Sequence, residues 1–220
     1  MAVTDSEGTT FPRLLQQHAA ERGERPATRE KDLGIWQTWT WAQVAAEVRA
    51  LACGLAAQGF RRGMHLAIIG DNRPRLYWSM TAAQALGGIA VPMYQDAPAA
   101  EFVYVLNDAQ IAYAVVEDQE QVDKMLEAKP QVPTLEHIYY DDPRGLRNYE
   151  GVTSFERLLE IGRDFDRAHP AFFDAEVAKG RPDLAQIDHH GLARFGTIDR
   201  EPGHQPLRVG EQMIADPRHG

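Results

Sequence analysis

The sequence predicts an α/β domain of βαβ units around a mostly parallel sheet, followed by an irregular C-terminal tail. Three observations predict it. Between residues 65 and 118 three short apolar runs, HLAIIG (65–70), IAVPMY (89–94) and AYAVVED (112–118), alternate with helical segments. Each run is continuously apolar, as expected of strands covered on both faces. The connections are long enough only for single-helix crossovers, which are right-handed in parallel sheets.

The elements follow in order. Residues 1–9 are polar and are expected to fray. Residues 28–38, with Asp32-Leu33-Gly34 at the middle, read as a β-hairpin. A helix opens at Thr40, where Thr40 and Gln43 have capping-box spacing, and Val44, Val48, Leu51 and Leu55 share one face. Gly59 stands where a glycine terminates such a helix. Asp71-Asn72-Arg73-Pro74 supplies helix-start residues for segment 75–88, which two glycines close, and Pro98 opens the next helix. Residues 119–128 predict a helix and 137–141 a fourth strand. Thr153 and Glu156 are read as a second capping box ahead of Phe155, Leu158, Leu159 and Ile161. Residues 163–183 read as charged and loosely helical.

Composition narrows the function. The apolar share of 44% and charged share of 25% suit an ordinary globular domain. A net charge of -9 with no basic cluster argues against nucleic acid. No apolar stretch reaches the ~18–20 residues of a membrane span, so no transmembrane segment is expected. The first residues lack the basic and apolar regions of a signal peptide. The single cysteine, Cys53, suits a reducing compartment, and the expected location is cytoplasmic.

Several short pieces stand in a telling order: residues 10–30 with their helix and Pro-Ala step, 36–64 with Thr-Trp-x-Gln, Asn72-Arg73-Pro74, Gly87 to Tyr94, and Leu106-Asn107-Asp108. Together they resemble the N-terminal region of the AMP-forming acyl-CoA synthetases, the adenylate-forming ligases, and most of all the long-chain fatty-acid–CoA ligases. The resemblance covers about residues 10–183 and implies an incomplete N-terminal portion of that fold. It implies a two-step parent reaction: a fatty-acid carboxylate attacks the α-phosphorus of Mg-ATP, releasing pyrophosphate, and the thiol of coenzyme A then displaces AMP.

Beyond residue 183 the resemblance stops. The family's Ser/Thr/Gly-rich phosphate loop, its metal-binding Thr-Glu, its ribose-binding Asp and its catalytic Lys have no counterpart, and residues 184–220 contain no lysine. That tail holds four of the eight histidines and neither helical nor strand periodicity, which reads as disorder and as a change of coding frame. No catalytic, cofactor-binding or metal residue is therefore assigned. ATP, Mg and CoA are cofactors of the full-length family, none is expected for this chain, and the chain is expected to be an inactive truncated product. The alternative is a non-catalytic module associating with an intact ligase, so the expected partners are a fatty acid or such a paralogue.

Individual candidates carry two readings each. Asp71 or Asn72 caps the following helix, or the strand end before it seats a small anion. Asp188, His189 and His190 hint at a metal, but adjacent side chains diverge and no ligand set accompanies them. Cys53, off the apolar stripe of its helix, reads as a small filler. Trp36, Trp39, Trp41 and Trp78 are expected to pack into the core, with an acyl-chain wall as the alternative. Pro92 and Tyr94 are expected to pack and turn a strand end.

Overall fold

The computed structural model describes residues 9–181. Among them a five-stranded parallel sheet runs in the order β4-β3-β5-β6-β7, comprising β3 (His65–Ile69), β4 (Ile89–Met93), β5 (Tyr113–Val116), β6 (His137–Tyr140) and β7 (Thr153–Ser154). A separate antiparallel hairpin pairs β1 (Pro26–Asp32) with β2 (Ile35–Thr40). Its two-residue turn sets Leu33 at φ 45° and Gly34 at φ 84°, both left-handed, which matches the twist of the flanking strands.

Among the described residues seven α-helices clothe the sheet: α1 (Phe11–Arg22), α2 (Trp41–Ala57), α3 (Pro74–Ala85), α4 (Ala99–Asp108), α5 (Gln119–Ala128), α6 (Phe155–Ala168) and α7 (Phe172–Ala178). Strand residues alternate between two cores. Leu66, Ile68, Tyr113, Val115 and Tyr139 face α1, α2, α3, α6 and α7. Ala67, Ile69, Ala114, Val116 and Ile138 face α4 and α5. The chain moves from β3 to β4 in one direction and then reverses past β3 to β5. Right-handed crossovers require α3 to lie on the face opposite α4 and α5, and it does.

Local chemistry explains the helix ends. The Gln43 N–H donates to Thr40 Oγ1 at 3.3 Å and the Thr40 N–H donates to Gln43 Oε1 at 2.8 Å, closing the predicted capping box. Gly59, at φ 97°, turns the chain out of α2. Two expectations fail here and one is sharpened. Ser154, not Thr153, caps α6, accepting from the Arg157 N–H at 3.2 Å, because the helix begins at Phe155 and Ser154 is the residue directly before it. Residues 163–181 are helical as expected but more regularly so: α6 runs on to Ala168 and α7 follows it. Trp36 is 58% exposed, stacked under Arg29 at 5.1 Å, because β2 has no layer over its outer residues. The tail beyond residue 181, with Asp188, His189 and His190, lies outside the described residues.

Helices α2 and α6 meet almost backbone to backbone. A Cβ on Gly162 would strike the Ala50 carbonyl, and one on Gly54 would strike the Leu158 carbonyl. The crossing is flanked by Arg49–Asp166 at 2.9 Å and Arg163–Glu47 at 3.0 Å. Cys53 faces this crossing and is fully buried, so its placement off the apolar stripe does not hold. Burial, with Asp166 next to it, pushes its thiol up to about 12.

Candidate functional site

Ligands of doubly wound folds bind at the carboxyl ends of the strands, in the crevice where the strand order reverses. Here that crevice lies between the loop after β3 (Gly70 to Arg73) and the end of β5 (Glu117 and Asp118). Glu117 fills it. Its N–H continues the ladder to Ile69 O at 2.9 Å, and its side chain turns back to the β3 loop. Oε2 accepts from the Asp71 N–H at 2.5 Å and Oε1 accepts from Arg73 Nε. Gly70 makes room for it, since a Cβ there would sit 2.8 Å from Glu117 Oε2. The place that the alternative reading gave to a small anion is thus occupied by the protein's own carboxylate.

Neither Asp71 nor Asn72 caps α3. The N-cap is Arg73, which makes no side-chain cap bond, and Pro74 opens the helix. Asp71 Oδ1 instead accepts from Gln95 Nε2 at 2.8 Å, bridging the ends of β3 and β4. Asn72 Oδ1 accepts from the Tyr77 hydroxyl at 3.0 Å.

Around Glu117 the charges are paired across elements. Arg75, in the first turn of α3, donates at 2.6 Å to Asp141 beyond β6 and at 2.6 Å to Glu156 in α6, and lies over the Phe155 ring. Arg73 also lies 3.9 Å from Glu30 of the hairpin. Asp142 accepts from the Arg144 backbone N–H at 2.9 Å and from its guanidinium. The cleft of about 430 Å³ bounded by these groups carries six carboxylates (Glu30, Asp32, Glu117, Asp141, Asp142 and Glu156) against three guanidiniums (Arg73, Arg75 and Arg144). Burial raises the Asp141 carboxyl above its usual range although Arg75 pulls the other way. Burial raises Glu30 likewise, whereas the hydrogen bond from Arg144 lowers Asp142.

The chemistry this permits is limited. Among the described residues no set of three or more His, Cys, Asp or Glu could hold a metal ion. The crevice residues do not fit a triphosphate: each arginine is engaged by carboxylates, and the surplus charge is negative.

Comparison with known proteins fixes the relationship. A family profile described as "AMP-binding enzyme" matches residues 15–178. The chain belongs to that family. It is 27% identical over 201 residues to the long-chain-fatty-acid–CoA ligase FadD15 of Mycobacterium bovis, covering 82% of this chain and 31% of that protein. It is 36% identical over 136 residues to the uncharacterized protein Rv1549 of Mycobacterium tuberculosis, covering 62% of this chain and 74% of that one. The solved acetoacetyl-CoA synthetase of Streptomyces lividans superposes with a TM-score of 0.63 at 20% identity, over 69% of this chain and 25% of that chain, which shows a shared fold. The chain spans about a quarter to a third of the length of the curated ligases it matches.

Against this AMP-binding framework the sequence motifs take structural places. Asn72-Arg73-Pro74 forms the crevice loop. Asn107 ties α4 down, donating to Val103 O at 2.9 Å and Gln131 O at 3.0 Å. Tyr94, at the end of β4, is 72% exposed and does not pack as expected. Trp39 and Trp78 do pack, edge to face at 5.4 Å, and Trp41 meets His18 edge to face at 4.6 Å. Sequence reasoning missed Glu117, Arg75 and Asp141. The available signal was a charged residue directly after an apolar strand run, at the end where this fold class puts its sites.

Proposed function

We propose that this chain provides the N-terminal scaffold of a long-chain fatty-acid–CoA ligase and that this span does not itself hold the nucleotide. The family match and the ligase relatives support the first half. The observation that carries the second is the Glu117 carboxylate in the switch-point crevice, within a cleft whose carboxylates outnumber its guanidiniums two to one. An entering triphosphate would have to displace an anion already satisfied by an N–H and an arginine, against unfavourable charge. The purified chain is expected to give no acyl-CoA above blank with ATP, palmitate and CoA, and no calorimetric heat with ATP. Turnover or saturable ATP binding refutes this reading. A cytoplasmic setting accords with it, and no described helix is long and apolar enough to cross a membrane.

A second reading, a non-catalytic module that docks on an intact ligase, is favoured by the hairpin. Leu33, Ile35 and Trp36 are all exposed on its tip and second strand, an apolar surface of the kind that marks contacts. Adding the chain to an intact long-chain ligase would then shift its kcat or KM. A Trp36→Ser chain would shift it less, and no shift from either chain rejects the module.

A further inference from the structure

A second cavity, of about 530 Å³, lies on the helical side of the molecule between α1, α2 and α3. Its walls come from periodic positions: Phe11, Leu14, Leu15 and His18 along α1, Trp41 and Val44 on α2, and Tyr77, Met80, Thr81 and Gln84 along α3. None of the lining residues is an Asp, Glu, Lys or Arg. A groove between helices with apolar walls is a common form of small-molecule site.

The polar atoms of this groove set it apart. Trp78 lines it, is 4% exposed, and its indole Nε1 has no hydrogen-bond partner. Thr28 Oγ1 and His18 Nδ1, on two further lining residues, are also buried without partners. Buried donors and acceptors are nearly always satisfied, so three unpaired ones around a single groove call for an explanation. Phe11 and Tyr77 on the rim are both exposed. A guest that turned them aside could bring an oxygen to the indole N–H and the threonine hydroxyl. With no lysine or arginine in the lining, a carboxylate head would have only the His18 imidazole near it, whereas a neutral hydroxyl or carbonyl needs no countercharge.

We propose that the groove between α1, α2 and α3 binds a neutral molecule with an aliphatic body and a hydroxyl or carbonyl head, the head hydrogen-bonded to Trp78 and Thr28. The groove shares no lining residue with the Glu117 cleft, and the proposal needs neither nucleotide nor the ligase reading. The test compares 1-decanol with decanoate on the full chain, by saturation-transfer NMR and competition titration, alongside thermal melts. Decanol is expected to bind saturably and decanoate at least tenfold more weakly. Thr28→Val removes one unpaired polar atom while keeping the shape; Trp78→Phe removes another together with part of the ring volume of a buried side chain. Thr28→Val is expected to leave the melting temperature of the free chain equal or higher, Trp78→Phe to lower it, and both to weaken decanol binding several-fold. In Thr28→Val the opposite movement of stability and binding is not produced by a merely structural role. Absence of saturable decanol binding, equal affinity for decanoate, or undiminished affinity in both variants overturns the proposal.

Discussion

Replacing Gly162 by alanine tests the tightest packing in the molecule. The added Cβ would land on the Ala50 carbonyl of α2, with the Gly54 N–H only 2.7 Å away. Backbone stands on both sides, so no side chain can rotate to relieve the contact and the two helices must separate. Overpacking costs about 1–3 kcal/mol, and contact with backbone belongs at the upper end. Alanine recovers about 1 kcal/mol of helix propensity relative to glycine. The net expectation is a loss of about 2 kcal/mol. For a domain of this size that lowers the melting temperature by about 4–8 °C. Thermal and urea melts followed by circular dichroism would read it. A melting temperature equal to or above that of the parent chain would refute the backbone-to-backbone crossing.

Three further outcomes are expected. Glu117→Gln leaves Arg73 and the Asp71 N–H without their charged acceptor. With Arg73 partly in solvent, the loss should be about 1–2 kcal/mol in urea titration, and an unchanged midpoint would contradict the role given to Glu117. Asp141 holds a carboxyl pKa raised in the folded state, so its contribution to stability is present at low pH and is lost as pH rises through that raised value. The melting temperature of Asp141→Asn relative to the parent should therefore rise between acid and neutral pH, and a relative fall would reverse the sign. Cys53, buried and with its thiol pushed up to about 12, should resist a disulfide reagent in the native chain and react once urea unfolds it. Rapid native labelling would show that the α2–α6 seam opens.

The parallel strands were legible because burial on both faces leaves an uninterrupted apolar run, and β3, β4, β5 and β6 each fall within one residue or two of their runs. The Thr40 box and the Leu33-Gly34 turn were legible because their partners lie three residues apart or fewer. The crevice was not, because its bonds join Asp71 to Glu117 and Arg75 to Asp141, 46 and 66 residues apart. Only the strand order makes these residues neighbours. Gly162 was unreadable for a related reason: a glycine inside a charged amphipathic helix looks like a weakness until the opposing helix is known. Ser154 takes the cap instead of Thr153 because α6 begins at Phe155, one residue later than the Thr153–Glu156 spacing implies.

The α2–α6 contact also has a consequence for the order in which the chain acquires its structure. Arg49 and Asp166, which flank it, are 117 residues apart. At about 5–20 residues per second of synthesis, α2 would wait roughly 6–23 s after leaving the ribosome before its covering helix exists. The layer of α4 and α5, by contrast, adjoins strands made just before and after it. Nascent chains halted before residue 155 should accordingly expose Val48, Leu51 and Leu55 to holdase chaperones, and chains extended past residue 168 should shed them.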